Sequence, residues 1–209
     1  MGKPTCRLPS FPFDEGAHTV ATTSKKTGYD GTMKLFVVLS LVATACAFAA
    51  TGNREVSQNP LSPTAETQMK LAGNDVVVEY NAPSARNRKV EGGLIPYNTW
   101  YRMGADAATT LTTSGDLMMG NLLVPKGVHT LFLQAAATGD WMLIVSNETK
   151  QFGTDYDKTK DLGRIAMKVT KLPKAVEKFT LTLKATGEKA GTLSLDWGGS
   201  HAEVAIKGQ

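Results

Sequence analysis

Between residues 79 and 109 the chain gathers Arg86, Arg88 and Arg102 with Tyr80, Tyr97, Trp100 and Tyr101, and sets the carboxylates Glu79, Glu91 and Asp106 among them. A guanidinium presents a planar fork of donors that suits carboxylates, phosphates and paired hydroxyls. An aromatic ring adds a stacking face. Together they can hold a sugar, an organic acid or a phosphate. The candidate ligand-binding set is Arg88, Tyr97, Trp100, Arg102 and Asp106. Arg88 and Arg102 would orient an anionic or hydroxylated group, Tyr97 and Trp100 would stack on it, and Asp106 would accept hydrogen bonds or fix Arg102. The same composition also suits a long connection that caps a core, with aromatics for bulk and Arg–carboxylate pairs to hold irregular backbone.

Other chemistries lack their residues. There is no Gly-rich phosphate loop, dinucleotide fingerprint, nucleophile elbow or paired-His zinc helix, so no cofactor and no metal is expected. After residue 50 the only histidines are His129 and His201, far apart in sequence. His129 reads as a strand position in Val-His-Thr-Leu-Phe. A hydrolase or isomerase is the alternative, with Asp106 and His129 as an acid–base pair, and it requires the two side chains to converge. The acidic run Asp155, Asp157 and Asp161 departs from a calcium loop, because Lys160 stands where Gly is needed and no Glu closes it. It reads as a solvated turn.

The N-terminal third points to export. From Met33 the chain has Lys34, an apolar centre from Leu35 to Val42, and two Ala-x-Ala sites ending at Ala47 and Ala49. That is the layout of a signal peptide over 33–49. The apolar stretch of 16 residues falls short of the ~20 a membrane helix needs, so no membrane span is expected after cleavage. Residues 1–32 have neither apolar period and read as an untranslated or disordered extension. Residues 50–66 read as a polar lead-in with two prolines, ahead of one domain over 67–209. The only cysteines, Cys6 and Cys46, fall before that domain, which excludes a disulfide or thiol nucleophile in it. The expectation is a secreted or periplasmic protein, with a lipoprotein acylated at Cys46 as the alternative. From residue 51 onward 18 Lys and Arg face 16 Asp and Glu, a net charge of +2. Without a basic stripe, nucleic acid is not an expected partner.

The positioning elements read as strands. Period-two or short apolar runs occur at 68–71, 75–80, 109–113, 116–119, 121–124, 128–134, 141–146, 164–170, 178–184, 192–197 and 202–207, each bounded by turn residues. Val124-Pro125-Lys126-Gly127 and Leu71-Ala72-Gly73-Asn74 mark two turns. The lysines around Pro173 read as a linker between strands. Tyr97, Trp100 and Tyr101, three and four apart, fit a short helix around 96–103, and a second fits 156–162. The expected fold is therefore all-β: a single antiparallel β-sandwich, jelly-roll-like or Ig-like, with at most one or two short helices and a long irregular segment at 84–108.

Several motifs share one order along the chain: Tyr80-x-x-Pro83, Arg88, Gly92-Gly93-Leu94-Ile95-Pro96-Tyr97, Trp100-x-Arg102-x-Gly104-Ala105-Asp106-x-x-Thr109, Pro125-x-Gly127, Trp141, Gln151-x-Gly153 with Tyr156, and Leu195-x-Trp197. In these the chain resembles the bacterial domain-of-unknown-function 2911 family over about residues 61 to 207. The resemblance implies a mostly β, exported bacterial domain and no catalytic residues. Four positions depart from the pattern: Ala82 stands where Arg is usual, Asn87 where Gly is common, Asp106 where Asn is usual and His129 where Tyr is more frequent. The functional expectation is a non-catalytic module that binds a small polar ligand, a glycan or a cell-envelope partner. A purely structural envelope protein is a further alternative.

Overall fold

A computed structural model describes residues 61–209. The readings of 1–32 as an extension, of 33–49 as a signal and of the lead-in up to residue 60 lie outside the described residues. The described part holds ten strands: β1 Thr64–Leu71, β2 Asn74–Asn81, β3 Trp100–Arg102, β4 Thr109–Thr113, β5 Leu117–Met119, β6 Leu122–Val124, β7 Gly127–Gln134, β8 Trp141–Ser146, β9 Asp161–Ala185 and β10 Ala190–Gly208. β1 begins within the stretch read as lead-in, and its residues Ala65 and Met69 pack on the core. One 3-10 turn, Lys158–Lys160, falls inside the second expected helix, and the Asp157 side chain caps it by accepting from Thr159 N–H. No helix among the described residues is long and apolar enough to cross a membrane.

The fold is all-β. The strands form one antiparallel sheet, not closed into a barrel, in the order β1-β2-β4-β7-β8-β9-β10-β5-β6, with β3 added beside β7. The sheet is continuous through the shared strand β9. Its first part pairs with β8 as far as Met167, and from Lys168 onward it pairs with β10. Both halves contribute to one core. Tyr80 of β2 meets Phe179 of β9 at 5.9 Å between ring centroids, and Phe179 meets Trp197 of β10 at 5.5 Å. The Tyr80 hydroxyl accepts from Leu181 N–H at 3.1 Å, which satisfies a polar group that burial would otherwise penalise.

The expected strands 164–170 and 178–184 merge into β9, and 192–197 and 202–207 merge into β10. The stretch around Pro173 is therefore strand, not linker. It carries a bulge: Lys171 pairs with Ser200 and Val176 with Gly198, so four residues of β9 oppose Gly199 alone. Pro173, which has no N–H to offer a ladder, sits among those four, where none is required. From Thr170 to Lys178 no side chain is buried, so this part of the strand has no core face.

The expected helix around 96–103 is absent. Asn98 has φ +59°, and Trp100–Arg102 lies as β3 along β7, pairing with Phe132–Gln134. Alternation replaces the helical spacing: Tyr101 packs on the core, while Trp100 contacts Phe132 at 5.8 Å on the other face. β3 and β4 both pair with β7, and residues 103–108 form the excursion between them.

Candidate functional site

The site grows from a seam in the sheet. The ladder of β8 on β9 ends at Trp141↔Met167, and the next pairing on that side of β9 is the isolated bridge Ser84↔Lys178. There Ala85 N–H donates to Glu177 O at 2.9 Å and Phe179 N–H to Pro83 O at 2.8 Å. Between these points β9 has no laddered neighbour on that side, and the irregular segment after β2 lies over the gap. Glu91 anchors it. Its Oε1 accepts from Gly199 N–H at 2.8 Å and from the Ser200 hydroxyl at 2.7 Å. Gly198 has φ +59°, and a Cβ there would lie 2.8 Å from Val90 Cβ. Conformation and close approach both call for glycine at this point.

Two open clefts flank Glu91. One, of about 310 Å³, is bordered by Glu91, Tyr97, the β7–β8 loop with Asp140, and Lys171 and Ser200 of the long hairpin. The other, of about 320 Å³, is bordered by Arg88, Val176, Glu177 and Gly199. Both lie at the small end of ligand pockets. Trp141 holds the loop of the first cleft by donating from Nε1 to Ala136 O at 3.1 Å. Asn98 N–H, just past Tyr97, donates to Ala135 O at 2.8 Å. Gly92 has φ +71°, and a Cβ added to it would lie 2.6 Å from Tyr97 Cε2. The phenol ring thus rests directly on glycine backbone and borders the cleft beyond it.

The five expected site residues are dispersed. Tyr97 borders the first cleft and Arg88 the second, while Trp100, Arg102 and Asp106 border neither. Arg88 folds onto its own turn, donating from Nε to Ala85 O at 2.9 Å and from Nη2 to Ser84 O at 3.0 Å. Arg102 follows Tyr101 on β3. Burial pushes the Tyr101 hydroxyl above its ordinary pKa, and the positive charges of Arg102 and Arg88 oppose that rise. Trp100 stacks on Tyr156 at 4.9 Å. Asp106 has φ +54°; its Oδ2 accepts from Ser62 N–H at 3.3 Å and its carbonyl from Gly153 N–H at 2.9 Å.

The acid–base alternative finds its two residues engaged elsewhere. His129 is buried, and its Nε2 lies 2.8 Å from Pro125 O at the β6–β7 turn, whereas Asp106 is bound to Ser62. Among the described residues no hydrogen bond or ion pair joins them, and no group of three or more His, Cys, Asp or Glu is arranged to hold a metal. His201 lies between two carboxylates, with Nδ1 2.5 Å from Asp196 and Nε2 3.6 Å from Glu203.

The segment read as a solvated turn is partly built into the fold. Arg164 donates to Asp161 Oδ2, to the Tyr156 hydroxyl at 2.8 Å and to Gln134 Oε1 at 2.9 Å, and Tyr156 donates to Asp161 at 2.8 Å. Burial, followed by the Asp161 acceptor, raises the Tyr156 pKa. The residues that sequence reasoning missed for the cleft are Asp140, Lys171 and Ser200. The one local sign of their meeting point is the pair Gly198-Gly199, which flags a close backbone approach within a strand.

The motif residues now have mechanical roles. Gly153 sits where a Cβ would come 2.6 Å from Asp106 O, and Gly104 where it would come 2.8 Å from Asn81 O. Trp197 donates from Nε1 to Glu177 O at 3.0 Å. Two departures also become intelligible: Asn87 and Asp106 both have positive φ, at +59° and +54°, where Gly and Asn are the favoured residues. Neither a curated protein nor a solved structure matches this chain. A family model does, over residues 62–206, and on that match the chain belongs to the family described as protein of unknown function (DUF2911).

Proposed function

We propose that this protein is an exported, non-catalytic binding module that takes a small polar ligand in the cleft between Glu91, Tyr97 and the β7–β8 loop. The observation that supports this reading is the convergence, on one open cleft of about 310 Å³, of the Tyr97 ring, the Glu91 carboxylate, Asp140, Lys171 and the Ser200 hydroxyl. They come from four separate stretches of chain. Rigid strands hold the walls, and a loop pinned by Trp141 closes one side, an arrangement suited to recognition. Export rests on the signal-like segment from Met33 to Ala49. The separate engagements of Asp106 and His129 favour binding over acid–base catalysis.

A thermal-shift screen of the purified protein against sugars, organic acids, nucleotides and metal ions tests the reading. A ligand well above its dissociation constant raises stability by a few kcal/mol. The expected result is a shift with at least one compound that disappears in Glu91→Gln. No shift with any class would refute the reading and favour a structural role.

A further inference from the structure

We infer that the ligand of the Tyr97 cleft is a saccharide, with one pyranose ring lying on the exposed side of the Tyr97 ring; this rests on the binding reading above and narrows it. Gly92 has no side chain to cover the ring it supports, and any side chain there would strike Tyr97. The phenol is thus backed by main chain on one side and borders the cleft on another. The face of an aromatic ring is electron-rich and attracts weakly positive C–H groups, which a pyranose presents as a flat patch.

The polar groups around it suit hydroxyls better than charges. Glu91 and Asp140 oppose an organic anion or a nucleotide phosphate, and among the described residues Lys171 is the only cation at the cleft's edge. That same lysine weakens the case for a cationic ligand. Thr138, Thr170 and Ser200 add hydroxyls that both donate and accept. Among the described residues Glu91 receives two donors, both on Oε1, which leaves acceptor capacity for a sugar hydroxyl. A carboxylate already fixed by two bonds gives a directional acceptor with little further ordering on binding.

The test is a printed array of microbial and plant oligosaccharides probed with the full chain. Titration of the hits by calorimetry and saturation-transfer NMR follows, with acetate, glutamate and adenosine monophosphate as comparison ligands. The expected result is a saccharide whose ring C–H protons receive saturation. Its affinity should fall roughly tenfold or more in Tyr97→Ala, an amount equal to about 1.4 kcal/mol, and survive in Tyr97→Phe. Tyr97 also packs on the core, so Asp140→Ala, at an exposed loop position, gives a second variant with little risk to folding, and it should also weaken binding. Binding of the comparison ligands alone would overturn the saccharide and leave the binding module standing. Saccharide binding indifferent to both Tyr97→Ala and Asp140→Ala would overturn the site. Binding of nothing would overturn both readings.

Discussion

Glu91 accepts a hydrogen bond from Gly199 N–H at 2.8 Å, across 108 residues of sequence. Through it the irregular segment is tied to the bulge of the β9–β10 hairpin, at the seam where the sheet is left open. Both clefts meet at this carboxylate, so its removal should register in stability and in binding together.

Glu91→Ala leaves Gly199 N–H and the Ser200 hydroxyl without their acceptor. The expected loss is about 1–3 kcal/mol, as for unsatisfied partly buried donors. Urea denaturation measures it, and hydrogen exchange at residues 198–200 locates it. Unchanged protection at Gly199 would show that the bond contributes little.

Gly92→Ala meets two obstacles, a left-handed φ of +71° and contact with the Tyr97 ring. The conformational part alone should cost about 1–2 kcal/mol. Because Tyr97 must shift, ligand binding should fall further than stability does. A variant with wild-type urea midpoint and wild-type affinity would contradict the close packing of ring on backbone.

Asp106→Asn should leave stability unchanged or slightly raised, within ~0.5 kcal/mol. Asn tolerates the positive φ at this position, and its side-chain carbonyl can still accept from Ser62 N–H. Binding should be unaffected. A clear loss of affinity would instead return Asp106 to the ligand site.

Trp100→Ala should destabilise by about 2–3 kcal/mol, below the full penalty for a buried Trp because the ring is half-buried. It removes contacts to Phe132 and Tyr156. The variant should still bind ligand at temperatures where it remains folded, as calorimetry below its unfolding transition would establish. Loss of binding in the folded variant would restore Trp100 as a stacking platform.

The raised pKa of Tyr101 sets an alkaline limit. Folding holds the phenol proton more tightly than the unfolded chain does, chiefly through burial. The associated stability is complete below the unfolded tyrosine value of about 10 and is lost as pH rises through the higher folded value. Urea midpoints measured from pH 8 to 11 should therefore fall, and fall less steeply in Tyr101→Phe. An equal slope in the two proteins would assign the loss to other groups.

Much of the fold was legible locally. The alternation of Ile165 and Met167, or of Phe179, Leu181 and Leu183, with polar neighbours marks a sheet with one buried face whatever its partners are. Ala72-Gly73 and Pro125–Gly127 announce turns through their own backbone preferences. Cysteine placement and charge balance are properties of composition, and they bound the chemistry before any folding is considered. Continuity across Pro173 was not legible, because a bulge depends on the partner strand's register and Lys171–Glu177 has no alternation to reveal it. Nor was β3: the spacing of Tyr97, Trp100 and Tyr101 fits a helix until the free edge of β7 is available to pair.

The candidate site divides in the same way. Tyr97 stood out by residue type, but only register across β9 and β10 carries Ser200 and Lys171 to its cleft, and only the β7–β8 loop brings Asp140. The residue types that can bind a polar ligand are written in the chain from 80 to 109. Which of them share a cleft is decided by the long-range pairing that leaves the sheet open between Met167 and Lys178, since local preference carries no information about a neighbour a hundred residues away.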